Sequence, residues 1–267
     1  MVKIVLGDTM RILITGASSG IGYKLGKELI KKGHTVYLTT HTDKELVTLK
    51  AKLLEERLDA LSFKMDITTK DINLVDKLKI DCLINNASIG IGGSILDMSI
   101  KHLKENYDVN IFSSFKLIQK VYKNMLKDKI NGKIFIISSL SYYINLPFLG
   151  CYTSSKASIS TLTKTLQKEI KYLDNNIKIS LIELGAYKTG FNDVMIDNKE
   201  KYQNKNKLFN YNKITKLQKK FFKKIESSNY KPLINKLIRN IESKDSKKII
   251  KKPKILSIFT KIYLLFH

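Results

Sequence analysis

Thr15-Gly16-Ala17-Ser18-Ser19-Gly20-Ile21-Gly22 follows directly on a short apolar run, Ile12-Leu13-Ile14, and precedes a segment with helical spacing. A strand that delivers a glycine loop into a helix N-terminus builds an anion site from backbone N–H groups and the helix dipole. Glycines there permit the tight turn, the approach of backbone to a pyrophosphate, and close packing of helix on sheet. The glycine spacing is three residues and then one, unlike the one-then-two of the usual dinucleotide fingerprint. Glycine turns between strand and helix are common, so the weight of this one comes from the rest of the chain.

Outward from the loop, apolar strands and amphipathic helices alternate. Met10 to Ile14 is the first strand, and the helix after the loop carries Ile21, Leu25 and Leu29 and stops at Gly33. Val36 to Thr39 is a second strand, and Asp43 is the expected N-cap of a helix bearing Leu46, Leu49, Leu53 and Leu54. Leu61, Phe63 and Met65 alternate into a third strand ending at Asp66; a short helix with Ile72, Val75 and Leu78 and a fourth strand, Cys82-Leu83-Ile84, follow. A long helix is expected over about residues 99–126, with Leu103, Tyr107, Ile111, Phe115 and Ile118 on one stripe. Near-continuous apolar strands alternating with helices predict an α/β fold: a doubly wound parallel sheet in three α/β/α layers, in a single domain.

The chain of 267 residues, 43% hydrophobic, is long enough for one such core. Two cysteines, Cys82 and Cys151, in apolar surroundings point to a reducing compartment, and no apolar run approaches the roughly 20 residues that span a bilayer. With no signal-peptide pattern before Met10, the chain reads as cytoplasmic, and residues 1–9 read as an extension with Met10 as an alternative start. The formal charge is +24, and residues 199–267 hold 20 of the basic side chains against 4 acidic ones. Drift toward lysine, asparagine and isoleucine explains such a balance, and attraction to anionic lipid or polyanions is the sharper alternative.

The fourth strand runs into Asn85-Asn86-Ala87-Ser88, where open α/β sheets bind ligands. Asn110 sits mid-helix, where an amide has no propensity reason to be. The strand Lys133 to Ser138 runs into Ser139, and Tyr152 lies four residues before Lys156. On a helix, phenol and ammonium at that spacing share a face, and a nearby cation is expected to lower the tyrosine pKa toward usable proton transfer.

Taken together, Thr15-Gly16-x-x-x-Gly20-x-Gly22, Asp66, Asn85-Asn86-Ala87, Asn110, Ser139 and Tyr152-x-x-x-Lys156 resemble, in order and spacing, the short-chain dehydrogenase/reductase family, a Rossmann-like fold. The resemblance covers residues 10 to about 190 well and the remainder loosely. It implies an oxidoreductase acting on CH–OH or C=O groups with a nicotinamide cofactor. Tyr152 is then the acid/base, Ser139 polarises the carbonyl, Lys156 holds the nicotinamide ribose and tunes Tyr152, and Asn110 positions a water. Cofactor contacts are implied for Thr15, Gly16, Ser18, Ser19, Gly20, Ile21, Gly22, His41, Asp66, Ile67, Asn86, Ala87, Tyr152, Lys156, Gly185 and Thr189; no metal is expected. Ser88 stands where the family usually has glycine and Leu184 where it has proline, while Gly185-x-x-x-Thr189 still fits its pattern. Thr40 stands where NAD-preferring relatives have aspartate and His41 where NADP-preferring ones often carry arginine, so NADP(H) is favoured over NAD(H).

Beyond Thr189, residues 190–245 fall where the family has its substrate lid and helical region; helical stripes appear at Ile214-Leu217-Phe221-Ile225 and Leu233-Leu237-Ile241. Tyr142, Tyr143, Leu146, Phe148 and Leu149 are expected beside the site, favouring an apolar substrate body. Residues 248–267 read as a basic run followed by an apolar stripe, Ile255, Ile258, Phe259, Ile262 and Phe266, that docks on protein or contacts a membrane peripherally. A homodimer or homotetramer is expected. The alternative function is a nucleotide-binding sensor or scaffold without turnover, against which the intact Asn110, Ser139, Tyr152 and Lys156 set argues. Nucleic-acid binding is not expected, because no strand face interleaves aromatic and basic residues.

Overall fold

In the computed structural model, which describes residues 9–203 and 207–253, seven short apolar segments pair side by side in one direction. They are β1 (Arg11–Ile14), β2 (Thr35–Thr40), β3 (Leu61–Lys64), β4 (Cys82–Asn85), β5 (Lys133–Ser139), β6 (Lys178–Leu184) and β7 (Ile249–Lys252), in the order β3-β2-β1-β4-β5-β6-β7. Every pairing is parallel. Strands apolar on both faces need helices on both, and Ile12, Leu13 and Ile14 are all fully buried. α1 (Gly20–Lys31), α2 (Asp43–Glu55) and α8 (Lys231–Glu242) cover one face. α4 (Ser114–Lys127), α5 (Gly150–Glu169) and a 3-10 turn, Lys70–Lys77, cover the other. The expected doubly wound sheet in a single domain is what forms. Its strand order reverses between β1 and β4, so the glycine loop and Asn85-Asn86 meet at the switch point.

Local chemistry sets the helix boundaries. α1 runs to Lys31, and Gly33 at φ +86° supplies the left-handed residue that ends it. α2 is capped by Thr42 rather than by Asp43: the Thr42 hydroxyl accepts the Glu45 N–H while the Glu45 carboxylate accepts the Thr42 N–H. That reciprocal pair satisfies two orphan donors, which a lone aspartate one residue later would not. The expected single helix over about 99–126 is instead α3 (Ile100–Tyr107), a π turn at Asp108–Ser113, and α4. In the C-terminal region α6 (Phe191–Asp197) precedes α7 (Tyr211–Ile225), whose buried face is Tyr211 and Phe222. Of the helical stripe read from sequence, Leu217 and Phe221 are exposed and Ile214 and Ile225 half-buried, while the buried face falls one residue further round at Phe222.

The basic run beginning at Lys248 is not a solvated tail. Ile249–Lys252 forms β7 on the edge of the sheet, with Ile250 buried. Lys251 Nζ sits 2.9 Å from the Glu183 carboxylate in β6, which is fully buried. Tyr142 and Tyr143 donate their hydroxyls to the same carboxylate, at 2.6 and 3.1 Å, and Lys164 approaches it from α5. Burial works to raise the Glu183 pKa, but Tyr142, Lys251 and Lys164 outweigh it and hold the carboxyl below its ordinary range. The apolar stripe from Ile255 to Phe266, like residues 1–8, lies outside the described residues.

Glu183→Ala leaves two ammonium groups and two phenols facing a void. It is expected to cost roughly 2 kcal/mol and to lower the melting temperature by about 5 °C at neutral pH. Because the folded-state pKa is depressed, that contribution is present above the unfolded carboxyl pKa and is lost as pH falls through the folded value. Thermal melts of the two proteins should therefore converge in acid.

Candidate active site

The glycine loop is shaped by contacts that a side chain would break. Gly16 takes φ +61°, and a Cβ there would stand 2.8 Å from the Ala87 Cα. At Gly22 a Cβ would meet Asn86 Nδ2 at 2.7 Å. Gly20, at φ +59°, opens α1 opposite Thr189. The loop after β4 holds this geometry from beside it. Asn86 Nδ2 donates to the carbonyls of Thr15 (2.8 Å) and Gly16 (2.9 Å), while Thr15 Oγ1 accepts the N–H groups of Asn86 (3.0 Å) and Ala87 (2.9 Å). The Ser19 side chain makes no capping bond, and Ser19, Gly20 and Ile21 line the cleft, so the start of α1 offers it uncapped N–H groups of the kind that cradle an anion.

On the glycine-loop side of the same cleft, His41 Nε2 lies 3.3 Å from Asp66 Oδ2. Burial works to raise the Asp66 carboxyl, but two hydrogen bonds from Thr68 and the neighbouring His41 bring it below its ordinary value. Glu45 also lines this end, its carboxylate accepting the His41 N–H at 2.9 Å.

The other half is built at the end of β5 and on the first turns of α5. Ser139 Oγ accepts the Ser141 N–H at 3.1 Å and is a hydrogen-bond partner of Tyr152. Lys156 Nζ is 5.7 Å from the centre of the Tyr152 ring, and its side chain is buried beside the Ile137 carbonyl, at 3.4 Å. The expected lowering of the tyrosine pKa is not what the structure shows. Burial pushes Tyr152 up to about 12, against the opposing bond to Ser139, and burial pulls Lys156 down to about 8. Desolvation of two enclosed groups outweighs a cation that stands off the ring rather than on the oxygen. Asn110, in the π turn, accepts the Ile89 N–H (2.9 Å) and donates to the Ile89 carbonyl (2.9 Å) and to Ser155 Oγ (3.0 Å).

One cleft of about 980 Å³ joins these parts. Of the residues expected from sequence, Gly16, Ser18, Ser19, Gly20, Ile21, His41, Asp66, Ile67, Asn86, Ala87, Ser139, Tyr152, Lys156, Gly185 and Thr189 all line it. Thr15, Gly22 and Asn110 do not reach the surface of the cleft; they hold its loops from behind. Leu146 and Leu149 line the apolar half as expected, whereas Tyr142, Tyr143 and Phe148 do not. The two tyrosines are drawn to Glu183, and Phe148 packs edge-on to Phe209, with ring centres 5.3 Å apart. Phe191, Met195, Phe222 and Ile225 complete the apolar wall. The helical stripe of α7 is the sequence signal for Ile225, although it does not say which cleft that residue faces, and Phe222 lies off the stripe. The glycine cradle, backbone donors and enclosed Ser139–Tyr152–Lys156 group fit a nicotinamide dinucleotide. Among the described residues no cluster of three or more His, Cys, Asp or Glu side chains is arranged to hold a metal ion.

Residues 10–200 match the family model described as short chain dehydrogenase. The chain is 31% identical over 198 residues to a "Probable short-chain type dehydrogenase/reductase" of Helicobacter pylori, a match spanning 71% of this chain and 69% of the relative. It is 30% identical over 182 residues to a 3-ketodihydrosphingosine reductase of Bacteroides thetaiotaomicron, spanning 68% of this chain and 65% of that one. A crystal structure of a short chain dehydrogenase/reductase from Burkholderia phymatum, in complex with NAD, superposes with a TM-score of 0.82 over 98% of this chain and 97% of its own. At 18% identity that likeness is one of fold.

Gly16→Ala forces a side chain into a left-handed backbone and against the Ala87 backbone. Isothermal titration with a nicotinamide dinucleotide should show binding weakened by about tenfold or more, from strain of about 1–2 kcal/mol. Binding within twofold of the parent would remove the close approach of Gly16 and Ala87 as a requirement.

Proposed function

The chain belongs to the short-chain dehydrogenase/reductase family of oxidoreductases, and on that premise we propose that it transfers a hydride between a nicotinamide cofactor and a carbonyl or alcohol on an apolar body. The observation that carries the reading is a single cleft with the glycine cradle at one end, Ser139, Tyr152 and Lys156 midway, and an apolar wall beyond them. The bound nicotinamide supplies or accepts the hydride. Tyr152 holds the proton at its hydroxyl: raised to about 12, it is fully protonated near neutral pH and suited to give that proton to an oxygen gaining negative charge. Ser139 donates a hydrogen bond to the same oxygen. Lys156, protonated below about 8, stabilises the phenolate left behind. Asn110 fixes the Ile89 loop and Ser155, and so acts as a positioning residue.

The substrate body is apolar because Leu146, Leu149, Phe191, Met195, Phe222 and Ile225 surround the space beyond Tyr152. That agrees in kind with the lipid ketone named for the Bacteroides thetaiotaomicron relative. A homo-oligomer is part of the reading, supported by the exposed apolar side chains Phe112, in the π turn before α4, and Leu162, on α5.

Tyr152→Phe should lower kcat by about 10²–10⁴ with cofactor Kd unchanged, read by NADPH absorbance with an apolar ketone. kcat/KM for reduction should decline as pH rises through about 8, where Lys156 loses its charge. A variant retaining a tenth of the parental rate overturns the acid/base assignment.

We assign the cofactor as NADP(H) in preference to NAD(H), because Thr40 puts no carboxylate at the end of β2 and His41 offers a ring N–H at the cleft rim. The Glu45 carboxylate opposes that preference by repulsion of a 2′-phosphate. Measured dissociation constants should favour NADPH over NADH. His41→Ala should reduce the ratio by about two- to fivefold, and Glu45→Gln should raise it by a similar factor. Tighter NADH binding by the parent protein defeats the assignment.

A further inference from the structure

The outer face of α7 carries a strip of lysines next to exposed apolar side chains. Lys213, Lys216, Lys220, Lys223 and Lys224 are all exposed, and among the described residues none of their ammonium groups pairs with a carboxylate. Only Lys219 does, with Asp197 at 2.6 Å. Between this lysine strip and the buried face stand Leu217, 60% exposed, and Phe221, 40% exposed, one helical turn apart. Phe221 also lines the cleft, as does Val194, which is 59% exposed. An apolar path therefore leads from Tyr152 out to a solvent-facing rim. Tyr152 packs on Phe191 with ring centres 5.5 Å apart, and both join Met195, Phe222 and Ile225 in one cluster. Phe222 meets Phe221 at 5.6 Å. The mouth of the substrate half is thus apolar and bordered by unpaired cations.

We propose that α7 seats this mouth on an anionic membrane surface, so that an amphiphilic carbonyl substrate passes from the lipid layer directly toward Tyr152. The inference rests on the reading of the cleft as a carbonyl-reducing site for an apolar substrate. Two exposed apolar side chains are far short of the roughly 800 Å² per partner that a stable protein interface uses. Lysines on long flexible stems need no shaped partner. Each adds about fivefold to partition onto an anionic leaflet, and a shallow apolar rim can sink between the headgroups. This surface belongs to α7 and does not require residues 254–267.

The test is flotation of the full chain with vesicles of phosphatidylcholine alone and of an equal mixture of phosphatidylcholine and phosphatidylglycerol, at low and moderate salt. Turnover of acetophenone in vesicle-free buffer is measured in parallel. The parent protein is expected to float with the anionic vesicles only, and less so as salt rises. The variant Lys216→Gln/Lys220→Gln/Lys223→Gln/Lys224→Gln should partition more than a hundredfold more weakly, at about fivefold per lysine, with its melting temperature and acetophenone turnover unchanged. Leu217→Ser should weaken partition severalfold on the same unchanged background. Equal binding to both vesicle types overturns the proposal. So does a four-lysine variant that floats like the parent, which returns the binding to residues outside α7. Saturable binding to an acidic acyl carrier protein without any flotation also overturns it, and assigns the helix to a protein. Flotation by a parent protein that turns over no ketone would remove the function proposed for the cleft while leaving the docking of α7 in place.

Discussion

The approach of two backbones at the switch point of the sheet is the constraint on which the site depends. Gly16 lies against Ala87 so closely that a methyl group has no room, and Asn86 and Thr15 exchange hydrogen bonds across the gap. Strands β1 and β4 are neighbours in register, Ile14 beside Ile84, so the loops that leave them start side by side. The amide and hydroxyl bonds then stop those loops from splaying. That holds the uncapped start of α1 at the edge of the cleft, where helix N–H groups suit an anion.

A second polar brace connects the Ile89 loop, beside the glycine-loop half of the cleft, to the Tyr152 half. Asn110 holds the Ile89 loop by both edges of its amide and reaches Ser155, whose hydroxyl bonds the Tyr152 carbonyl one turn earlier in α5. Glu183 plays the corresponding part on the other side of β5. By binding Tyr142 and Tyr143 it fixes the turn that begins at Ser139, and Lys251 ties that turn to the edge strand. Burial makes these networks firm, because any member left unpaired in a dry interior is costly.

Much of this was legible in the sequence where the determinants are local. The glycine loop, the strand ends at Asn85-Asn86 and Ser139, and the spacing of Tyr152 and Lys156 each depend on a few consecutive residues, and the structure brings them to one cleft. What escaped depends on distant partners. Ile249-Ile250-Lys251-Lys252 reads as part of a charge run until Glu183, a buried acid in β6, is placed beside Lys251. Tyr142 and Tyr143 look like substrate contacts for the same reason. The position of the Tyr152 pKa escaped because proximity of a cation is visible in spacing whereas depth of burial is not. Glu45 escaped because only the Thr42 cap brings its carboxylate beside His41 at the rim of the cleft.

The π turn at Asp108–Ser113 carries a consequence of a different sort. A π turn holds one residue more than the α-helical turn it replaces, so α4 is rotated by about 100° relative to a straight continuation of α3. That rotation is what lets Asn110 face the Ile89 loop while Leu117, Ile118, Val121 and Met125 still meet the sheet. The number of residues between Ile100 and Lys127 is therefore itself a structural quantity. Deleting one residue within Asp108–Ser113 would let the helix run straight with α4 still in phase, because the turn holds one residue in excess, but it would take Asn110 off the Ile89 loop. A deletion within α4 would instead misphase the residues between the turn and the gap. Here chain length acts as a phase, and the place of a missing residue matters more than its identity.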